Sequence, residues 1–344
     1  MKNNEKYKNI QFVGEIGTFK EFQDVIKKEN CSKKSNSTLL FRGQNKHYNE
    51  LIPSLFRDDG YIQNESNMVR DAFSKYAYFL EEDKTTFDSL VKLQHYGLPT
   101  RLLDITLNPY VALYFACIEE KHKDNNGEFF VINASKVFSP DDYLVSMYAN
   151  LAMLNTDMKE KGLIVPAMGE ELTEKLNDEF NSKMEYKMRE DEKKKQEEAV
   201  KDLMSLINKE RSSCSNSYYV KNINKDLNGG ICVSAKINNP RIKAQSGGFL
   251  LFGARDYRSS KEHKCRRVDI KLYEIKNTVK ETMLEELGSM NITKSTLFPE
   301  MQELIEEIKL KYKTEPLQPK VTSYRKVQMD DIMPIKNKTE QHVS

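Results

Sequence analysis

Residues 93–118 read LQHYGLPTRLLDITLNPYVALYFACI, and the fold turns on how this stretch divides. His95, Tyr96, Arg101, Asp104, Thr106 and Asn108 fall within fourteen residues, just ahead of an almost wholly apolar run. A glycine after the last periodic residue commonly terminates a helix, so Gly97 places His95 and Tyr96 at a helix end. The short segment PTRLLDIT then reads as a strand. Asn108 and Pro109 are helix-start residues, because proline is tolerated in a first turn that needs no amide donor. The spacing therefore predicts helix end, strand and helix in quick succession, with polar groups gathered at the joints.

Outward from there, TLLFRG at 38–43 is a short apolar run stopped by Gly43, which predicts a buried strand presenting Arg42 at its end. Apolar residues at helical spacing predict helices over 17–29, 66–81 and 85–95, and GEFFVIN at 127–133 has the aromatic and β-branched content of a strand. The stretch from EELTEKL to NKER, at about 169–212, lacks proline and glycine and carries many opposite charges at helical neighbour spacing, which predicts a charged helical arm. Such an arm, with sparse apolar positions, suits solvent or a protein partner. GGICVSAK and GGFLLFGA resume the strand pattern, and 281–311 returns to an amphipathic helix interrupted at LFPE.

This order predicts an α+β fold, organised as 10–139 and 229–312 forming two parts of one domain, with a helical insertion at 140–228 and a polar tail at 313–344.

Composition narrows the function classes. The chain of 344 residues carries 54 basic and 52 acidic side chains, a near balance that argues against a surface built as a whole to grip nucleic acid or an anionic membrane. No apolar window is long enough to span a bilayer, and MKNNEKYKNIQF lacks a signal-peptide core, so the expected address is cytoplasmic. The five cysteines are widely spaced without a CxxC pair, which predicts free thiols. The basic run Arg255, Arg258, Lys261, Lys264, Arg266 and Arg267 carries no recognised nucleic-acid motif and reads as a solvated loop rather than a nucleic-acid site. His263 and Cys265 are too few for a metal centre, so none is expected.

Four blocks in this order resemble the FRG domain family. They are the signature Phe41, Arg42, Gly43 followed by Gln44; the stretch at 93–116; RIKAQSGGFLLFG at 241–253; and ITKSTLFPE at 292–300. A more distant resemblance is to ADP-ribosyltransferases with an Arg, Ser, Glu triad. LLFRGQ looks like their first strand, and Asp104 and Thr106 stand at the two Ser positions. Gln245 stands where the catalytic Glu would be. The resemblance implies a small mixed or antiparallel sheet core of that fold with flanking helices, NAD as substrate, and the role of a toxin or phage-defence effector.

Transfer of ADP-ribose passes through a cation-like sugar, so the site must bind pyrophosphate, fix the ribose and stabilise positive charge. Arg42 can fork two donors onto phosphate, with Gly43 allowing close backbone approach and Gln44 beside it. His95, Tyr96 and Arg101 are further candidate lining residues, Thr106 could support the ribose, and Tyr110 and Tyr114 offer rings for nicotinamide. Gln245 can orient a hydroxyl but carries no charge. Asp104 could supply that charge, turnover could be slow, or the domain could bind a nucleotide or a protein without catalysis.

Each candidate also has a plainer role. Arg42 or Arg101 could pair with Asp104, His95 and Tyr96 could cap a helix, Tyr110 and Tyr114 could be core, and Gln245 could satisfy a bulge. The spatial expectation is a cleft, with 93–108 on one wall and Arg42 and Gln245 on the other.

Overall fold

The computed structural model describes residues 10–48, 51–118, 121, 124–156, 158–159, 179–211, 227, 229–237, 240–253 and 268–299. Eight strands form one mixed sheet. They are β1 (Gln11–Ile16), β2 (Thr38–Gln44), β3 (Leu102–Thr106), β4 (Gly127–Ala134), β5 (Val137–Phe138), β6 (Gly230–Ser234), β7 (Gly247–Phe252) and β8 (Val268–Ile275). Their order is β1-β8-β4-β2-β3-β7-β6-β5. The pairs β1–β8 and β5–β6 are parallel and the others antiparallel. The class is α+β, as the element order implies, but the sheet is larger than expected. Chain beyond residue 229 supplies β7 beside β3 and β8 beside β4, so the sheet that holds the FRG signature is completed from far along the sequence.

The helices are α1 (Phe19–Ser32), α2 (Asp59–Gln63), α3 (Glu65–Lys75), α4 (Ala77–Leu80), α5 (Thr86–His95), α6 (Pro109–Cys117), α7 (Tyr143–Asn150), α8 (Glu179–Glu210), α9 (Pro240–Ala244), α10 (Lys280–Ser289) and α11 (Lys294–Leu297). The expected continuous helix at 66–81 is broken between α3 and α4 at Tyr76, whose φ of −120° lies outside helical range. Side chains of Thr18, Thr85 and Asn108 accept the first-turn amides of α1, α5 and α6, each worth roughly 1 kcal/mol.

Two glycines seat α6 on the sheet. A Cβ at Gly43 would lie 1.8 Å from the Ala112 carbonyl oxygen, and one at Gly127 would lie 2.2 Å from that of Ala116. The glycine of the FRG signature is thus required by helix packing. Its lack of a side chain lets β2 meet the α6 backbone.

The charged helix is anchored as well as solvated. Ala199, Leu203 and Ile207, spaced four apart on α8, are fully buried among α7 and the sheet. Three apolar positions in register suffice to dock the last turns of a helix whose composition reads as solvated. No helix among the described residues is long and apolar enough to cross a membrane. The basic run at 255–267, residues 169–178, the helix expected beyond 299, the tail at 313–344, Cys214 and Cys265 lie outside the described residues.

Candidate functional site

Strands β2 and β3 are neighbours, yet they are registered only through Phe41 and Thr106. Beyond that pair they part, and a cavity of about 240 Å³ lies where they separate. Arg42 and Gly43 line it from β2, Asp104 and Thr106 from β3, and Gly247 to Phe249 from β7. The end of α5 contributes Gln94 and His95, α6 contributes Val111 and Phe115, and α9 with its following turn contributes Arg241 and Gln245.

The structure therefore brings together Arg42, Gly43, His95, Asp104, Thr106 and Gln245. They do not face one another across opposed walls as expected. Arg42, Asp104 and Thr106 sit on adjacent strands of one sheet, and the α5, α6 and α9 segments surround them.

A chain of hydrogen bonds fixes the polar groups. Arg42 Nη1 donates to the Asp104 backbone oxygen at 2.6 Å, bridging the gap between the parting strands. Its Nε donates to Gln44 Oε1 at 3.4 Å, and Gln44 Nε2 donates to Glu128 Oε2 at 3.2 Å. His47 Nδ1 lies 2.7 Å from the other Glu128 oxygen. Gln44, which is buried, thus holds Arg42 from behind. The Asp104 carboxylate is exposed, and its Oδ1 accepts from Gln94 Nε2 at 2.9 Å. Gln94 Oε1 in turn accepts from the Thr100 hydroxyl, which sets the orientation of the amide.

Thr106 and Gln245 are committed to the fold. The Thr106 hydroxyl donates to the Gln245 backbone oxygen at 2.6 Å and accepts from the Asn108 amide at 3.0 Å. It ties the end of β3 to the turn before β7, where Ser246 adopts a φ of 47°. Gln245 Nε2 donates to the Leu297 carbonyl at 3.1 Å, joining that turn to α11. Its side chain has the span of the expected Glu but serves as a strut.

Besides Gln44, four of the expected binding residues lie outside the cavity lining. Arg101 is 1 % exposed, and it donates through Nε to Glu65 Oε1 at 2.8 Å and through Nη1 to the Phe252 carbonyl at 2.9 Å. Lys159 also reaches Glu65, making a buried triad. Burial alone would raise the Glu65 carboxyl, but the two cations outweigh it and hold the group below its ordinary value. Tyr96 caps α5 with its ring outside, 4.9 Å from Phe79. Tyr110 packs on Phe19 and Phe22 of α1, and Tyr114 is core.

Sequence reasoning passed over Gln94, Phe115 and Arg241. Gln94 had a visible signal, being adjacent to His95 at the same helix end. Arg241 had only its place ahead of the AQSGG turn. Among the described residues, no group of three or more His, Cys, Asp and Glu side chains could hold a metal ion.

No curated protein and no solved structure matches the chain. The FRG domain family model matches residues 37–125, from the start of β2 through α6, a span containing Arg42, Gln94, His95, Asp104, Thr106 and Phe115. Most of the cavity's polar side chains fall inside that span, with Arg241 and Gln245 added from outside it, and the chain is an FRG domain-containing protein.

Proposed function

We propose that the cavity binds the nicotinamide-ribose end of NAD and that the protein breaks the bond between them. The observation that carries this reading is the pairing of Arg42 with Asp104. A guanidinium and a carboxylate are brought from separate strands to one cavity, and the arginine is bonded to the backbone of the residue bearing the carboxylate. Oxidised NAD carries an anionic pyrophosphate and a cationic nicotinamide ring, so a site with one group of each sign is complementary to both parts. At about 240 Å³ the cavity is below the roughly 300 Å³ at which drug-sized pockets begin, which suits one end of a dinucleotide.

In this chemistry the C1′–N bond breaks and its electron pair returns to the nicotinamide nitrogen, neutralising the ring. The ribose is left as an oxocarbenium-like cation, which the Asp104 carboxylate stabilises. Water or an acceptor nucleophile then adds to C1′ and releases a proton to solvent. Gln94 orients Asp104, and Gln44 orients Arg42. Consumption of NAD would suit a toxin or phage-defence effector.

A second reading, a binding module without turnover, is favoured by the Gln245 amide being tied to Leu297. Release of nicotinamide by purified protein separates the two. The first reading expects release by wild type and its loss in Arg42→Ala and Asp104→Asn. A wild type that raises its melting temperature with NAD but releases nothing leaves the binding module. Neither release nor a melting shift ends both NAD readings.

A further inference from the structure

The cavity contains a second guanidinium that the Arg42 and Asp104 pairing does not use. Arg241 lies on α9, outside the span matched by the family model, and lines the same cavity as Arg42. Its guanidinium carbon stands 4.6 Å from the centre of the Phe298 ring. Phe298 follows α11 and also packs edge-on against Phe115, another cavity residue, with ring centres 5.9 Å apart.

Stacking on an aromatic ring engages the face of a guanidinium and leaves its N–H groups in the plane of the fork. It also removes rotamer freedom that a ligand contact would otherwise have to suppress. The ring that holds Arg241 is itself held. Thr293 and Thr296 form a capping box at the start of α11, Leu297 is buried, and the Leu297 carbonyl accepts from Gln245 in the turn after α9. The segments carrying Arg241 and Phe298 are therefore joined at two points, the stack and this hydrogen bond.

We infer that Arg241 is a second anion ligand of the cavity, that Arg42 and Arg241 together select a diphosphate over a single phosphate, and that Phe298 positions Arg241 for it. One fork satisfies one phosphoryl group, and two forks from different elements of one cavity match two linked groups. Asp104, exposed on the same cavity, opposes excess negative charge and directs the anion toward the arginines. The inference rests on reading this cavity as the nucleotide site, and it specifies which part of the nucleotide each arginine meets.

The test uses inorganic pyrophosphate and orthophosphate as probes, with binding to the full chain measured by calorimetry and melting temperature recorded for every variant. Wild type is expected to bind pyrophosphate about tenfold or more tighter than orthophosphate. Arg241→Gln should lose about tenfold to a hundredfold for pyrophosphate and bind the two anions alike. Arg241→Lys, which keeps the charge without the fork or the stack, should fall between and serves if the glutamine variant does not fold. Phe298→Leu should weaken pyrophosphate several-fold and leave orthophosphate unchanged, a selective loss that a merely loosened fold would not give.

A wild type without preference for pyrophosphate, or an Arg241→Gln protein binding it as wild type does, overturns the inference. Pyrophosphate selectivity without NAD binding ends the NAD reading and leaves the diphosphate site standing. NAD binding that is indifferent to Arg241→Gln ends this inference alone.

Discussion

Arg101 and Asp104 stand three residues apart at β3, yet they belong to different kinds of place. At the start of the strand, the Arg101 guanidinium is enclosed with Glu65, Lys159 and two backbone carbonyls. Farther along, Asp104 is exposed at a cavity, held by one amide. A buried charge survives only when paired, whereas a charge at a cavity keeps capacity for something else. The closed end should therefore answer substitution with lost stability, and the open end with lost binding.

The largest effect is expected at the closed end. Glu65→Gln leaves Arg101 and Lys159 without their counter-charge and should cost roughly 3–5 kcal/mol in denaturant unfolding. The pH dependence follows from the direction of the shift. Glu65 is held below its ordinary value of 4.5, so its contribution is complete above that pH and is lost as pH falls through the lower folded value. The gap between wild type and Glu65→Gln should accordingly narrow in acid below about pH 4.5. A gap that stays constant through that range would falsify the ion-pair account.

A smaller loss is expected where α6 meets the sheet. In Gly43→Ala the new methyl meets the Ala112 backbone, which has no flexible side chain to swing away. Overpacking of this kind costs typically about 1–3 kcal/mol. Cys117, at the end of α6, reports the cause. Burial pushes its thiol up to about 12, against a smaller opposing influence from Lys280, so it should resist alkylation in the native wild type. If the helix lifts, Cys117 becomes reactive in Gly43→Ala under native conditions. Continued protection alongside unchanged stability would mean that the close approach is not what this glycine is for.

These contrasts also show what the sequence made legible. The stretch at 93–118 gave helix end, strand and N-capped helix because Gly97, Asn108 and Pro109 act locally, and the structure places each as read. The sheet's extent was not legible, because β8 (VDIKLYEI) mixes charges among its apolar residues. Helix α7 lies within the expected helical insertion but was not marked out in it, because it is buried on every side and so shows no amphipathic period. Within the site, residue types marked the neighbourhood but not the partners. Arg101 finds Glu65 36 residues earlier, and Gln245 finds Leu297 52 residues later. Spacing along the chain carries no information about pairings made by tertiary packing. Arg42 and Arg101 consequently looked alike in the sequence and differ in the burial and the partners that packing gives them.

The smallest stability change, and the sharpest test of the comparison, is expected for Arg42→Ala. The substitution removes a hydrogen bond to the Asp104 carbonyl and a longer one to Gln44. A net intramolecular hydrogen bond is worth about 0.5–1.5 kcal/mol, and at a cavity edge water can replace part of it, so unfolding should shift by about 1 kcal/mol or less. Binding of pyrophosphate or NAD should meanwhile fall at least tenfold. Equilibrium unfolding and calorimetry on the same preparation give both quantities. A loss of stability comparable to that of Glu65→Gln, with ligand affinity retained, would make Arg42 a second Arg101. The cavity would then be a gap between strands that the arginine exists to close. Unaltered stability with abolished affinity would instead establish that two arginines at neighbouring strands of one sheet are divided between holding the fold and serving its ligand.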